Sequence, residues 1–295
     1  MLPRTMDAVT RWELAGTRTT VFGHDIFVRD TGFQREPGDP IVILHGFPSC
    51  SFDWRRIVDG LAGVRRIVLF DMLGYGLSDK PDQRYSLFEQ ADIAQALIES
   101  LDLNRCVLVT HDMGDSVGGE LCARALDGTL PFDITSRVVT NGSIYMDLVQ
   151  LSAGQQVLLG LPDEALPDES APGADLFKAS LAATFARPPD DEELEAQWLL
   201  LASCGGDRIL SRLIHYIEER RIHEGRWTSA IEKHPSPISI VWGDADPIAV
   251  FAMAERLAES RPDAGLTRLD GIGHYPMIEA PEQVVDALLA HLYRM

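Results

Sequence analysis

The run Cys106-Val107-Leu108-Val109-Thr110-His111-Asp112-Met113-Gly114-Asp115-Ser116 constrains this chain more than any other stretch. A β-branched apolar strand ends abruptly at an acid there. Gly114 stands two residues on, and Gly118 and Gly119 let a following helix pack close, so the run predicts a strand-to-helix turn with Asp112 exposed at the top of a sheet. Serine at such a turn attacks acyl carbon. A carboxylate instead displaces a leaving group at saturated carbon and leaves an alkyl ester on the protein. The competing use of an aspartate at this place is as a plain helix N-cap.

Similar apolar runs recur at Ile41–Leu44, Ile67–Phe70, Val138–Thr140 and Ile238–Trp242, with helical patterns such as Leu87–Ile98 between them. The alternation predicts an α/β fold, a mostly parallel sheet with helices on both faces. Each motif then falls at the C-terminal end of a strand, where open α/β sheets bind ligands. Trp12 to Thr31, broken at Gly16 and Gly23-His24-Asp25, suits an N-terminal β-hairpin. Between Tyr145 and Lys233 strand-like runs stop, and leucine-rich helical segments alternate with acidic, proline-containing loops. The expected organisation is a core of residues 1–144 and 234–295 with an inserted helical cap of residues 145–233.

The chain has 295 residues, enough for one large domain with an insertion. Its 45 acidic against 26 basic residues give a formal charge of −19, which repels nucleic acid and anionic membrane surfaces. The start, Met1 to Asp7, lacks a signal-peptide stretch, and no run of about 18 apolar residues announces a membrane span. A cytoplasmic setting is expected. Cys50, Cys106, Cys122 and Cys204 have neither CxxC nor metal-ligand spacing and read as free thiols, so no metal or other cofactor is expected. The sequence leaves monomer and homodimer open.

Downstream of the turn, Pro237 to Pro247 reads as a buried strand running into the acidic loop Asp244-Ala245-Asp246, and Leu266 to Pro276 as a shorter strand leading to His274. The chain order is nucleophile, acid, histidine, which is the order of an α/β-hydrolase. His274 suits a general base that activates water to cleave the ester. Asp246 would hold its ring, with Asp244 as the competing acid two residues earlier. After the strand Ile41–Leu44, the backbone amide of Phe47 joins that of Met113 as an oxyanion hole. His45 reads as a buttress of that loop, and Asp71 with the glycines of Asp71–Pro81 as turn formers.

His45-Gly46-Phe47-Pro48, Asp71 to Pro81, His111-Asp112-Met113-Gly114-Asp115, Trp242-Gly243-Asp244-Ala245-Asp246 and Gly273-His274-Tyr275-Pro276 together resemble the α/β-hydrolase branch of epoxide hydrolases and haloalkane dehalogenases. The His-Asp-x-Gly-Asp turn and the segment Leu213 to Arg221 leading to Arg226-Trp227 are most similar to mesoderm-specific-transcript-like proteins. The resemblance implies Asp112 as nucleophile, His274 as base, Asp246 as its partner acid and Phe47 with Met113 as oxyanion residues. Thr110 departs from the pattern, since glycine is common two residues before the nucleophile.

Dehalogenases of this branch grip halide with side-chain N–H donors at positions that hold Met113 and Phe47 here, and neither side chain can donate. Trp54 reads as packing. Fluoroacetate-type dehalogenases place arginine where Met113 stands. Epoxide hydrolases use cap tyrosines as proton donors, and Tyr216 lies at a position similar to one of them. Residues 146–215 contain no tyrosine, which leaves Tyr145 or His215 for the second donor. The expected activity is therefore epoxide hydrolysis to a diol, with a small apolar substrate and water as the only partners. Haloalkane dehalogenation, ester or lactone hydrolysis, and a non-catalytic ligand receptor on the same scaffold are the alternatives.

Overall fold

A computed structural model describes residues 4–32 and 37–294; Met1–Pro3 of the N-terminal reading lie outside it. The chain opens with α1 (Arg4–Leu14), so the first part of the stretch whose pattern predicts a hairpin is helical. The hairpin itself begins later, as β1 (Thr17–Val21) and β2 (His24–Asp30), paired antiparallel. Trp12 belongs to the helix because its ring is buried edge-on against Phe52, 5.9 Å between centroids. Tertiary packing overrides the short alternating pattern there.

Next come β3 (Ile41–Leu44), α2 (Arg55–Gly60), β4 (Ile67–Phe70), α3 (Leu87–Ser100), β5 (Arg105–His111), α4 (Met113–Leu126) and β6 (Asp133–Thr140). The chain then turns helical through α5 (Ala153–Leu159), α6 (Ala174–Ala182), α7 (Asp191–Ala202), α8 (Leu210–Leu213) and α9 (Tyr216–Lys233). It closes with β7 (Ile238–Gly243), α10 (Phe251–Ser260), β8 (Gly265–Leu269), α11 (Pro276–Glu279) and α12 (Pro281–Leu292).

The strands form one sheet in the order β1-β2-β4-β3-β5-β6-β7-β8. Pairing is parallel from β4 to β8 across the sheet and antiparallel at the β1 and β2 edge. Every residue of β3, β4 and β7 is buried, as a strand covered on both faces must be. Each large apolar side chain so buried contributes about 1.5–3 kcal/mol. The helical excursion is bolted to the sheet by α9, which lies along α4. At that contact Glu120 of α4 accepts from Trp227 Nε1 at 2.9 Å and from Arg226 Nε at 2.7 Å. Among the described residues no helix is long and apolar enough to cross a membrane.

Candidate active site

β5 runs into α4 with no loop between, and the whole reversal falls on Asp112, whose φ of 50° and ψ of −114° lie where L residues rarely go. Such a conformation costs on the order of 1–3 kcal/mol and persists only where the surroundings impose it. Asp112 occupies the N-cap position of α4, yet its side chain caps nothing. Instead Oδ2 accepts the Phe47 N–H at 2.8 Å. Gly46 permits that approach, because a Cβ on it would stand 2.5 Å from Asp112 Cβ. Thr110 is accommodated in the same manner. Its Cγ2 fills the space beside Gly118, where a Cβ would come within 2.7 Å.

His274, in the loop after β8, is 2 % exposed, and its Nε2 lies 4.0 Å from Asp112 Oδ1. Its Nδ1 donates to Asp246 Oδ2 at 2.8 Å. Asp246 is in turn held by the amides of Ile248 and Ala249 at 2.7 and 3.0 Å and by Asn141 Nδ2 at 2.8 Å. Asp244 faces elsewhere: it pairs with Arg268 at 2.6 Å and accepts the Gly271 amide at 2.7 Å. Geometry therefore gives His274 to Asp246, a choice that spacing alone left open. Burial works to lower the pKa of His274. The charge and hydrogen bond of Asp246, with the charge of Asp112, outweigh it and raise the value to about 9. The direction favours the imidazolium form of His274.

Three supporting residues escaped the sequence reading. Asn141, at the C-terminal end of β6 with φ 42°, bridges Asp246 and the Gly243 amide, which donates to its Oδ1 at 3.0 Å. His111 uses Nε2–H to hold the His274 carbonyl at 2.8 Å; burial and the neighbouring His274 drop its pKa to about 4, so the ring is neutral. Arg220 of α9 reaches down to the turn, where its Nε donates to Ser116 Oγ at 2.6 Å and Nη2 to the Asp112 carbonyl at 3.3 Å. A signal for Asn141 existed, since Asn141-Gly142 directly follows an apolar strand. Nothing local marked Arg220 among the charges of Glu218-Glu219-Arg220-Arg221.

The other motif residues are fixed by local hydrogen bonds. His45 Nε2 accepts the Met72 amide at 2.9 Å while Nδ1–H donates to the Gly46 carbonyl at 2.9 Å, which fixes the loop that carries Phe47. Asp71 accepts from the amides of Ser51 and Leu77 at 2.9 and 2.7 Å and so closes its turn. The Met113 amide opens α4 beside Asp112, and the Met113 thioether accepts from Tyr75 Oη at 3.3 Å.

Between these residues and helices α5 and α6 lies a mainly apolar cavity of about 240 Å³, with Phe47, His274 and Tyr275 at its floor and Leu158, Phe177 and Leu181 among its walls. Tyr216 is buried with its ring 5.5 Å from that of Phe47 and 5.0 Å from the Arg220 guanidinium. Burial, then the charge of Asp112, holds its phenol protonated well above the ordinary range. Tyr145 and His215 do not join Tyr216. Tyr145 donates to Glu232 at 2.8 Å under the Arg256 guanidinium, and His215 Nδ1 pairs with Glu218 at 2.9 Å. Both are spent on these local contacts, while Tyr216 and Asp112 sit behind the residues that line the cavity and are not themselves among them.

A family model described as the alpha/beta hydrolase family matches residues 41–287. A Mycobacterium tuberculosis protein named as the hydrolase LipZ is 38% identical over 296 residues, covering 98% of this chain and 99% of its own length. The mouse mesoderm-specific transcript protein is 31% identical over 302 residues, covering 98% of this chain and 89% of its own. A haloalkane dehalogenase of Sphingobium indicum is 44% identical over 113 residues, covering 35% of this chain and 38% of its own.

Proposed function

Since the chain belongs to the alpha/beta hydrolase family, we propose that it hydrolyses an apolar epoxide to a diol through an ester on Asp112. The observation that carries this reading is the Asp112 carboxylate itself. It faces His274, is gripped by the Phe47 amide, and acts electrostatically on the buried phenol of Tyr216.

In the first half-reaction an Asp112 oxygen forms a bond to one epoxide carbon as that carbon's bond to the ring oxygen breaks. The ring oxygen takes the Tyr216 proton and leaves a phenolate. Esterification neutralises Asp112, one of the charges that hold the His274 imidazolium, so His274 gives up its proton, which restores the phenol through solvent. Neutral His274 then takes a proton from water as the water oxygen bonds to the ester carbonyl carbon. The oxyanion forms toward the Phe47 amide, and collapse expels the diol as its alkoxide takes the proton back through His274 and solvent. Aspartate and imidazolium are regenerated with the final proton balance. The apolar cavity suits an apolar substituent, so the partners are a small apolar molecule and water. The same reading takes the protein to be cytoplasmic, supported by its four unpaired cysteines.

The test is to trap the ester. His274→Gln incubated with 1,2-epoxyoctane should carry an adduct on the Asp112 peptide by mass spectrometry, while Asp112→Ala carries none. Adduct-free His274→Gln protein that still makes diol would overturn the mechanism. Faster bromide release from 1-bromobutane than diol formation from every epoxide tried would move the enzyme to dehalogenation.

A further inference from the structure

His274 lies in the loop between β8 and α11, and a loop stays mobile unless its backbone is tied down. Asp246 holds only the ring. The backbone is held from another direction, because the His274 amide donates at 3.0 Å to the carbonyl of Thr184, in the segment of residues 184–187 between α6 and α7. Glu279, the last residue of α11, closes the same seam. Its Oε1 accepts the amide of Gly273, one residue before the histidine, at 3.0 Å, while its Oε2 accepts the amides of Ala186 and Arg187 at 3.1 and 3.4 Å. Phe185 completes the contact, with its ring stacked on that of Tyr275 at 4.9 Å between centroids and 15° from parallel. Gly273 makes room for it, since a Cβ there would stand 2.4 Å from the Ala186 nitrogen.

An ionised carboxylate only accepts, and its hydrogen bonds from N–H donors are stronger than those between neutral groups. One side chain thus grips both strands of the seam. Other pairs that join the helical excursion to the sheet domain, such as Arg55 with Glu193 and Ser86 with Glu219, involve none of residues 270–279. We propose that Glu279 is a positioning residue for hydrolysis of the Asp112 ester, an inference that rests on the reading of the site given above. Its carboxylate fastens the backbone on either side of the seam, so that the His274 imidazole stands where it can take the proton of the attacking water. That transfer runs from water to Nε2 as the water oxygen bonds to the ester carbonyl carbon, and it tolerates little displacement. Forming the ester uses the Asp112 carboxylate and asks nothing of Nε2 as a base. Loosening the clamp should therefore slow the second half-reaction and leave the first alone.

The test is a single turnover of 1,2-epoxyoctane by Glu279→Gln, with the Asp112 peptide followed by mass spectrometry. The amide keeps one acceptor but turns an NH2 toward either Gly273 or the amides of Ala186 and Arg187, so one side of the clamp opens. Ester decay should slow about 10- to 100-fold while ester formation stays within about twofold of wild type, so the ester accumulates. Glu279→Asp, which keeps the charge one methylene shorter, should lose less at the same step, and it is the variant to read should Glu279→Gln not fold. Glu193→Gln breaks its ion pair with Arg55 away from the His274 loop; it should lower Tm and leave both half-reactions at wild-type rates. Wild-type ester decay in the Glu279 variants would overturn the proposal, as would equal slowing of both half-reactions or the same slow decay in Glu193→Gln. The His274→Gln trap separates the two levels of failure. An Asp112 adduct there, with unchanged ester decay in the Glu279 variants, refutes only the role of Glu279, whereas no adduct from any epoxide removes the parent reading together with it.

Discussion

The two sides of the site are built differently. On the sheet side Asp112, Asp246 and His274 are 2–4 % exposed, and fixed backbone amides or neighbouring side chains hold each of them. On the cap side the polar groups are few, the walls are apolar, and Val157 and Leu176 of the cavity lining stand 64 % and 62 % exposed at the rim. In the proposed reaction the first arrangement fixes where a proton and a nucleophile are. The second leaves room to choose what enters, so substitutions on the sheet side should cost rate and those on the cap side should redistribute substrates.

The largest effect should come from Asp246. Asp246→Asn leaves the shape intact but removes the charge that holds the imidazolium and dictates which nitrogen carries the proton. The expected loss in kcat is on the order of 10⁴, as for a comparable triad. Asp244→Asn, which releases Arg268 on the surface, should leave turnover within about twofold of wild type, since exposed ion pairs contribute only about 0–1 kcal/mol. Steady-state rates on one epoxide check both. Equal losses at the two positions would dissolve the contrast between a held acid and a surface one.

Asn141→Leu should come next. It strips Asp246 of one donor and leaves the Gly243 amide without its acceptor, and an unsatisfied buried partner costs about 1–3 kcal/mol. Converted to rate, that is a roughly 5- to 150-fold fall in kcat with little change in KM. A rise in KM alone would mean that Asn141 shapes the cavity instead of steadying the acid.

Asn141 also marks where sequence legibility stops. The strands ending at Leu44, His111, Thr140 and Gly243 each contain a short apolar run, so their order and the loops at their C-terminal ends could be read directly. The contribution of Asn141 depends on β6 lying beside β7, a pairing across almost a hundred residues of intervening helix. Arg220 is further removed. Its role follows from how α9 settles on the sheet, and the weak amphipathic pattern of that helix does not encode it. The early helix α1 was missed for the same reason, because burial of Trp12 against Phe52 decides it.

Stability against pH gives a third comparison, since both sides bury acids. Burial pushes Asp115, beside the turn at Asp112, up to about 8, and pushes Asp53, which joins Ser49 to Gln197 of α7, up to about 7. An acid whose folded pKa is raised binds more protons folded than unfolded, so stability falls as pH rises from its ordinary value to the folded one. His274, raised to about 9, loses its contribution as pH climbs past 6.5 toward 9. The neutral buried rings of His111, His234 and His291, each near 4, act only below their ordinary value. Above pH 6.5 Asp115, Asp53 and His274 thus act in one direction, each with a slope of up to about 1.4 kcal/mol per pH unit. Tm should fall from pH 6.5 to 9. Asp115→Asn should flatten the part up to pH 8, and an unchanged slope in that variant would mean Asp115 is already ionised in the fold.

The smallest effect should be at the rim. Leu176 is exposed, so Leu176→Asp should leave Tm within the change of about 0.5 kcal/mol typical of surface substitutions. It lines the mouth of a mainly apolar cavity, however, and a carboxylate there removes apolar contact from any substituent long enough to reach it. Each methylene that loses its cover forfeits up to about 0.8 kcal/mol, or roughly fourfold in binding. KM should therefore rise a few-fold for 1,2-epoxydecane and hardly at all for 1,2-epoxybutane, with kcat unaltered for both, because the carboxylate lies far from the bonds that change. An equal rise for the two substrates would mean that charge at the mouth repels by itself. A fall in kcat would mean that the cap reaches into the chemistry, and that the division between a side that reacts and a side that selects has been drawn in the wrong place.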